Sequence, residues 1–124
     1  MVRRWAPVFV YMAGLFALSS ISSPPTFPGE PSDKVVHAWL YAGLGAVCLW
    51  AVADRRWNQI TARRVIDAVL MAIAYGAFDE FHQSLVVGRQ SDVADLVADG
   101  LGAAVAAIAL WLWGILSMKR EDRQ

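Results

Sequence analysis

The chain has 124 residues, 57% of them hydrophobic and only 18% charged, with 11 basic residues balancing 11 acidic ones. A water-soluble domain of this size usually carries about 25% charged residues, so this composition argues against one and for a single small membrane domain over residues 1–124. Cys48 is the only cysteine, which excludes an intrachain disulfide and a thiolate metal cage.

Four apolar segments approach the roughly 20 residues that a membrane-spanning helix needs. The spans expected are about residues 5–22, 34–53, 65–87 and 94–118. The first begins MVRRWAPVFVYMAGLFALSSISS, which also has the basic start and small-residue end of a secretory signal peptide. Cleavage would leave an odd three-span protein, so an uncleaved helix is expected. SSPPTFPGEPSD follows; its four prolines cannot continue a helix and predict an extended external loop. No segment alternates with the period of a strand. The fold class expected is therefore an all-α membrane protein, with four transmembrane helices in a compact bundle.

The basic residues orient it. Arg3 and Arg4 precede the first span, Arg55, Arg56, Arg63 and Arg64 fill the middle loop, and Lys119, Arg120 and Arg123 follow the last. Only Lys34 and Arg89 fall in the other two loops. By the positive-inside rule both termini are cytoplasmic. Trp5, Trp50, Trp57, Trp111 and Trp113 fall near that same interface, with Trp39 nearer the other.

Topology then gathers the polar residues on the outer side. Asp33, Lys34, His37 and Tyr41 begin the second helix, and Asp79, Glu80, His82 and Gln83 end the third. Arg89, Asp92, Asp95 and Asp99 occupy the next loop and the start of the fourth helix. At about 100° per residue, Asp33, His37 and Tyr41 share a face, and Asp79 and Gln83 stack four apart. Asp92, Asp95 and Asp99 share a stripe with Gly102 and Ala106, which suits a surface facing helices rather than lipid. Ala72 and Gly76 give the third helix a similar approach surface.

The order DKVVHAWLYAGLG, then DEFHQSLVVGRQSDVADLVADGLGA, resembles the VanZ-like family of small bacterial membrane proteins. The family pattern matches at Asp33, Lys34, His37, Tyr41, Asp79, Glu80, Gln83, Gly88, Arg89, Asp95 and Gly102, from Asp33 onward over about three-quarters of the chain. Asp99 departs from it, standing where the family usually has asparagine. The resemblance implies a multi-pass protein of the bacterial cytoplasmic membrane with a cell-envelope role. It also carries the family's association with resistance to the glycopeptide antibiotic teicoplanin.

The residues offer two chemistries each. Arg89 is a fork for a phosphate or carboxylate, or the partner of Asp92, Asp95 or Glu80. Glu80 and Asp95 either move protons or bind a cation, or they pair with Arg89 and Lys34. His37 is a general base or metal ligand oriented by Asp33 one turn away, or a hydrogen-bonded structural histidine. Asp92, in the first turn, favours the helix dipole; His82 is read as interfacial, and Gln83 as orienting a carboxylate. A zinc set of His37, Glu80 and Asp95 has acceptable donors but no HxxxH pair, so no metal and no cofactor is expected.

The candidates are therefore Glu80, Asp95 and His37 for catalysis, and Arg89, Lys34, Asp33, Tyr41, Gln83 and Asp99 for ligand binding. The partner expected is a membrane lipid or lipid-linked envelope molecule, with no nucleic acid and with a homo-oligomer permitted. A polar pocket binding such a headgroup competes with a membrane-embedded enzyme acting on a lipid-linked phosphate. A proton-coupled transporter is weaker, because four short spans leave little room for alternating access.

Overall fold

A computed structural model describes residues 1–22, 28–29 and 32–123. It contains four helices, α1 (Val2–Ser19), α2 (Asp33–Val52), α3 (Ala62–Ser84) and α4 (Val93–Glu121), and no strand among the described residues. A short 3-10 turn, Trp57–Gln59, links α2 to α3. Most of the proline-rich connection between α1 and α2 lies outside the described residues. α2 and α4 are long and apolar enough to cross a membrane.

Three of the starts have explicit caps. Ser32 accepts from the Val35 amide, Thr61 from Arg64 and Asp92 from Ala94, each satisfying a donor that the first turn leaves without a partner. At the other end of α2, Asp54 and Arg55 adopt positive φ (54° and 60°) and turn the chain toward α3. The Arg64 guanidinium then holds the Gln59 carbonyl and, at 2.9 Å, the Gln59 side chain.

Contacts at both ends set α1 antiparallel to α2 and parallel to α3. Arg4 meets Asp54 at 3.1 Å at one end, whereas Ser20 meets His82 at 2.9 Å at the other. Between them Tyr11 donates to the Leu40 carbonyl and Tyr75 to Met12, each at 2.7 Å. The core is aliphatic and small: Val8, Leu44, Cys48, Leu49, Ala68, Ala72, Ala103 and Ala107 are buried. α2 and α4 approach closely enough that a Cβ on Gly102 would run into the Ala38 backbone, and one on Gly45 would stand 2.7 Å from the Ala103 backbone. Small residues permit that approach, as in membrane helix pairs.

The helices differ from the expected spans at their edges. α1 ends at Ser19 rather than 22, α3 at Ser84 rather than 87, and α4 runs on to Glu121 rather than 118. Asp33 is the first residue of α2, because Ser32 caps it.

Candidate functional site

The starts of α2 and α4 and the ends of α1 and α3 form a polar end. Its acidic residues are mostly interior: Asp79 is 4% exposed, Glu80 7%, Asp95 3% and Asp99 1%. A buried, uncompensated carboxylate costs several kcal/mol by rough estimate, so each must find hydrogen-bond or charge partners.

The start of α2 supplies much of that compensation. Lys34 Nζ donates to Asp92 Oδ2 at 2.9 Å and to Asp95 Oδ1 at 2.6 Å. Its hydrogen bond to Asp92, together with that from the Ala94 amide, holds the Asp92 carboxyl below the usual aspartate value. One turn further along α2, His37 Nδ1 meets Asp99 Oδ1 at 2.8 Å. The imidazole Nε2 stands 3.9 Å from Asp33 and 3.8 Å from Asp95, beyond hydrogen-bond distance. Another turn deeper, Tyr41 donates to Asp79 Oδ2 at 3.2 Å, and Gln83 donates to that oxygen at 3.3 Å. The His37 and Tyr41 rings stack with centroids 6.5 Å apart.

Two sequence details shape the other wall. Gly76 admits Asp99, since a Cβ there would lie 3.0 Å from Asp99 Oδ2. Glu80 Oε2 accepts from Ser91 Oγ at 3.2 Å and from the Asp92 amide at 3.0 Å, which ties α3 to the loop entering α4. A cavity of about 40 Å³ lies beside these groups, lined by Leu15, Leu18, Ser19, His37, Leu40, Tyr41, Asp79, Gln83 and Arg89. That volume admits a few water-sized groups and no more. Four buried polar atoms at this end have no hydrogen-bond partner among the described residues: Asp79 Oδ1, Glu80 Oε1, Arg89 Nε and Asp99 Oδ2.

Several expectations change in detail. Asp99, the departure from the family pattern, is the close partner of His37; Asp33 is at longer range. Lys34 does not stand open to an anion, because Asp92 and Asp95 engage its ammonium. Arg89 pairs with none of Asp92, Asp95 and Glu80 and faces the cavity instead. Asp92 is the N-cap of α4 as well as a Lys34 partner. His82 is half-buried and stacks on Phe16 with centroids 4.2 Å apart.

Asp79 was not among the candidates, although its spacing to Gln83 already placed them on one face. Ser19, Leu15 and Leu18 were missed too, because nothing in α1 resembles a polar motif. His37 gathers carboxylates in two groups whose donor atoms lie within 4.8 Å of one another, one with Asp33 and Asp95, the other with Glu80 and Asp99. The zinc set weighed and set aside from sequence joined His37 to Glu80 and Asp95, a different grouping.

The VanZ/LLP1 family pattern matches residues 7–114, taking in α1 as well as the polar end. No curated protein and no solved structure matches the chain. The family match covers most of the sequence, and the chain belongs to the VanZ-like family.

Proposed function

We propose that this chain is a four-span protein of the bacterial cytoplasmic membrane whose polar end faces outward and binds the anionic headgroup of an envelope lipid or lipid-linked molecule. Both termini are then cytoplasmic, as the arginines at the opposite end of the bundle favour. The observation that carries the reading is Arg89. Its Nε is buried without a partner on the wall of a cavity that also holds the unpartnered Asp79 Oδ1. A guanidinium held open at a partly buried surface suits a phosphate or carboxylate oxygen, and Asp79 suits a hydroxyl donor on the same headgroup. The cavity's about 40 Å³ fits such oxygens rather than an acyl chain. Teicoplanin resistance, the association the family name carries, would follow if the ligand were an envelope precursor on the outer face.

The test is a calorimetric titration of the purified protein in neutral detergent with short-chain phosphatidylglycerol and phosphatidylcholine. Binding of the anionic lipid alone, lost in Arg89→Ala, supports the reading; equal binding of both lipids opposes it. The His37–Asp99 pair favours a second reading, an enzyme acting on a lipid-linked phosphate. A carboxylate holding an imidazole at a cavity wall is the arrangement of a general base. Incubation with extracted envelope lipids, followed by mass analysis, would then reveal a changed lipid that His37→Gln does not produce.

A further inference from the structure

We propose that Asp33, His37 and Asp95 form a site for a divalent transition-metal ion such as zinc, with Asp99 as the residue that orients the histidine. The site goes beyond headgroup binding and does not depend on it.

The histidine is set up as a ligand. Its side chain is nine-tenths buried, and Asp99 Oδ1 holds Nδ1 at 2.8 Å. With the Nδ1 proton donated to Asp99, Nε2 presents a lone pair; a carboxylate behind a metal-binding imidazole fixes tautomer and ring orientation in this way. Nε2 makes no hydrogen bond and faces Asp33 Oδ2 at 3.9 Å and Asp95 Oδ2 at 3.8 Å. An imidazolium donating to either acid would close to about 2.8 Å. The stand-off is instead near the ligand-to-ligand spacing of about 3.3–3.6 Å around a tetrahedral ion with bonds of 2.0–2.2 Å. A contraction of a few tenths of an ångström completes three ligands.

The surroundings agree with a cation. Lys34 occupies Asp95 Oδ1 at 2.6 Å and leaves Oδ2 as a single-oxygen ligand. Glu80, 7% exposed, offers a donor atom within 4.8 Å of donors on His37 and Asp99, and its Oε1 has no partner among the described residues. Asp33, Asp79, Glu80, Asp92, Asp95 and Asp99 share this end with the cations Lys34 and Arg89, so a dication reduces an excess of negative charge in a low-dielectric setting. One nitrogen and carboxylate oxygens are a donor set that zinc accepts.

The experiment measures zinc content after equilibrium dialysis of the full-length protein in detergent, and the visible absorption of the cobalt-loaded form. Wild-type protein should hold about one equivalent of zinc, and its cobalt complex should show bands of a nitrogen–oxygen environment. His37→Gln and Asp33→Asn should each weaken binding at least tenfold, and Asp99→Asn about tenfold, because a neutral amide holds the ring but no longer raises its basicity as a carboxylate does. Arg63→Ala, exposed and salt-bridged to Asp67 at the opposite end, should bind as wild type does. Asp33 is exposed, so its substitution leaves the bundle intact even where His37→Gln unfolds. Zinc occupancy of folded wild type near zero, or equal binding by Asp33→Asn and wild type, overturns the proposal.

Discussion

His37 Nδ1 and Asp99 Oδ1 meet at 2.8 Å between α2 and α4, with the Asp99 side chain fully buried. This contact joins α2 and α4 at the polar end. Asp99→Asn should keep an acceptor for the imidazole and change stability by less than about 1 kcal/mol. Asp99→Leu should strand His37 and cost about 3–5 kcal/mol. Thermal unfolding followed by circular dichroism in detergent distinguishes the two.

Tyr41 donates to Asp79 at 3.2 Å, and Gln83 supports the same oxygen at 3.3 Å. Removing the hydroxyl in Tyr41→Phe should cost about 1 kcal/mol. The double change Tyr41→Phe with Gln83→Leu leaves that oxygen without either donor and should cost more than the two single changes together. A double-mutant cycle by the same melting assay checks the sign.

The α2–α4 approach depends on Gly102, where added bulk meets the Ala38 backbone. Gly102→Val should lower stability by about 1–3 kcal/mol or more through overpacking. Gly14 in α1 has nothing within 4 Å of an added Cβ, so Gly14→Ala should be neutral or stabilise by up to about 1 kcal/mol. Opposite outcomes at these two glycines would refute the packing account.

Asp92 supplies a pH dependence with a fixed sign. Its folded carboxyl lies below the usual aspartate value because Lys34 and the Ala94 amide favour the charged form. The stability it contributes is fully present above the unfolded value of 3.8 and is lost as pH falls through the lower folded value. Melting temperature should therefore drop further between pH 5 and pH 3 for wild type than for Asp92→Asn. An identical drop in both would mean that the Lys34 contact contributes nothing.

Much of this arrangement was legible in the residues themselves. Apolar runs and the proline-rich break placed four helices. Asp92 read as a helix-start residue, and Asp79, Gln83 and the α4 acids showed their faces by spacing, whereas the Ser32 cap of α2 did not stand out. Partner choice across helices was not legible. Asp33 lies one turn from His37 along the chain and seemed its natural partner, yet the rotation of α4 about its axis delivers Asp99 instead. Lys34 and Arg89 looked equivalent as cations near acids. Cap geometry brings Asp92 and Asp95 to Lys34, while the turn around Gly88 (φ 81°) precedes an Arg89 facing the cavity walled by α1. Such distinctions depend on helix rotation and loop path, which no local pattern encodes.

Orientation in the membrane has its own test. Val87, 86% exposed at the polar end, and Arg55, beyond α2 at the other, are suitable cysteine positions because the native Cys48 is buried. Val87→Cys should react with a membrane-impermeant maleimide on intact cells, and Arg55→Cys only after permeabilisation. The reverse pattern would place the polar cluster on the cytoplasmic side.

The central claim is that the polar end, through Arg89, holds an anionic envelope molecule. Native mass spectrometry of the protein extracted with its own membrane lipids tests it most directly. Wild type should retain an anionic lipid or lipid-linked adduct that folded Arg89→Ala and Arg89→Lys lose, because an ammonium cannot reproduce the guanidinium fork. Adduct-free wild type, or the same adducts on all three proteins, would contradict the account.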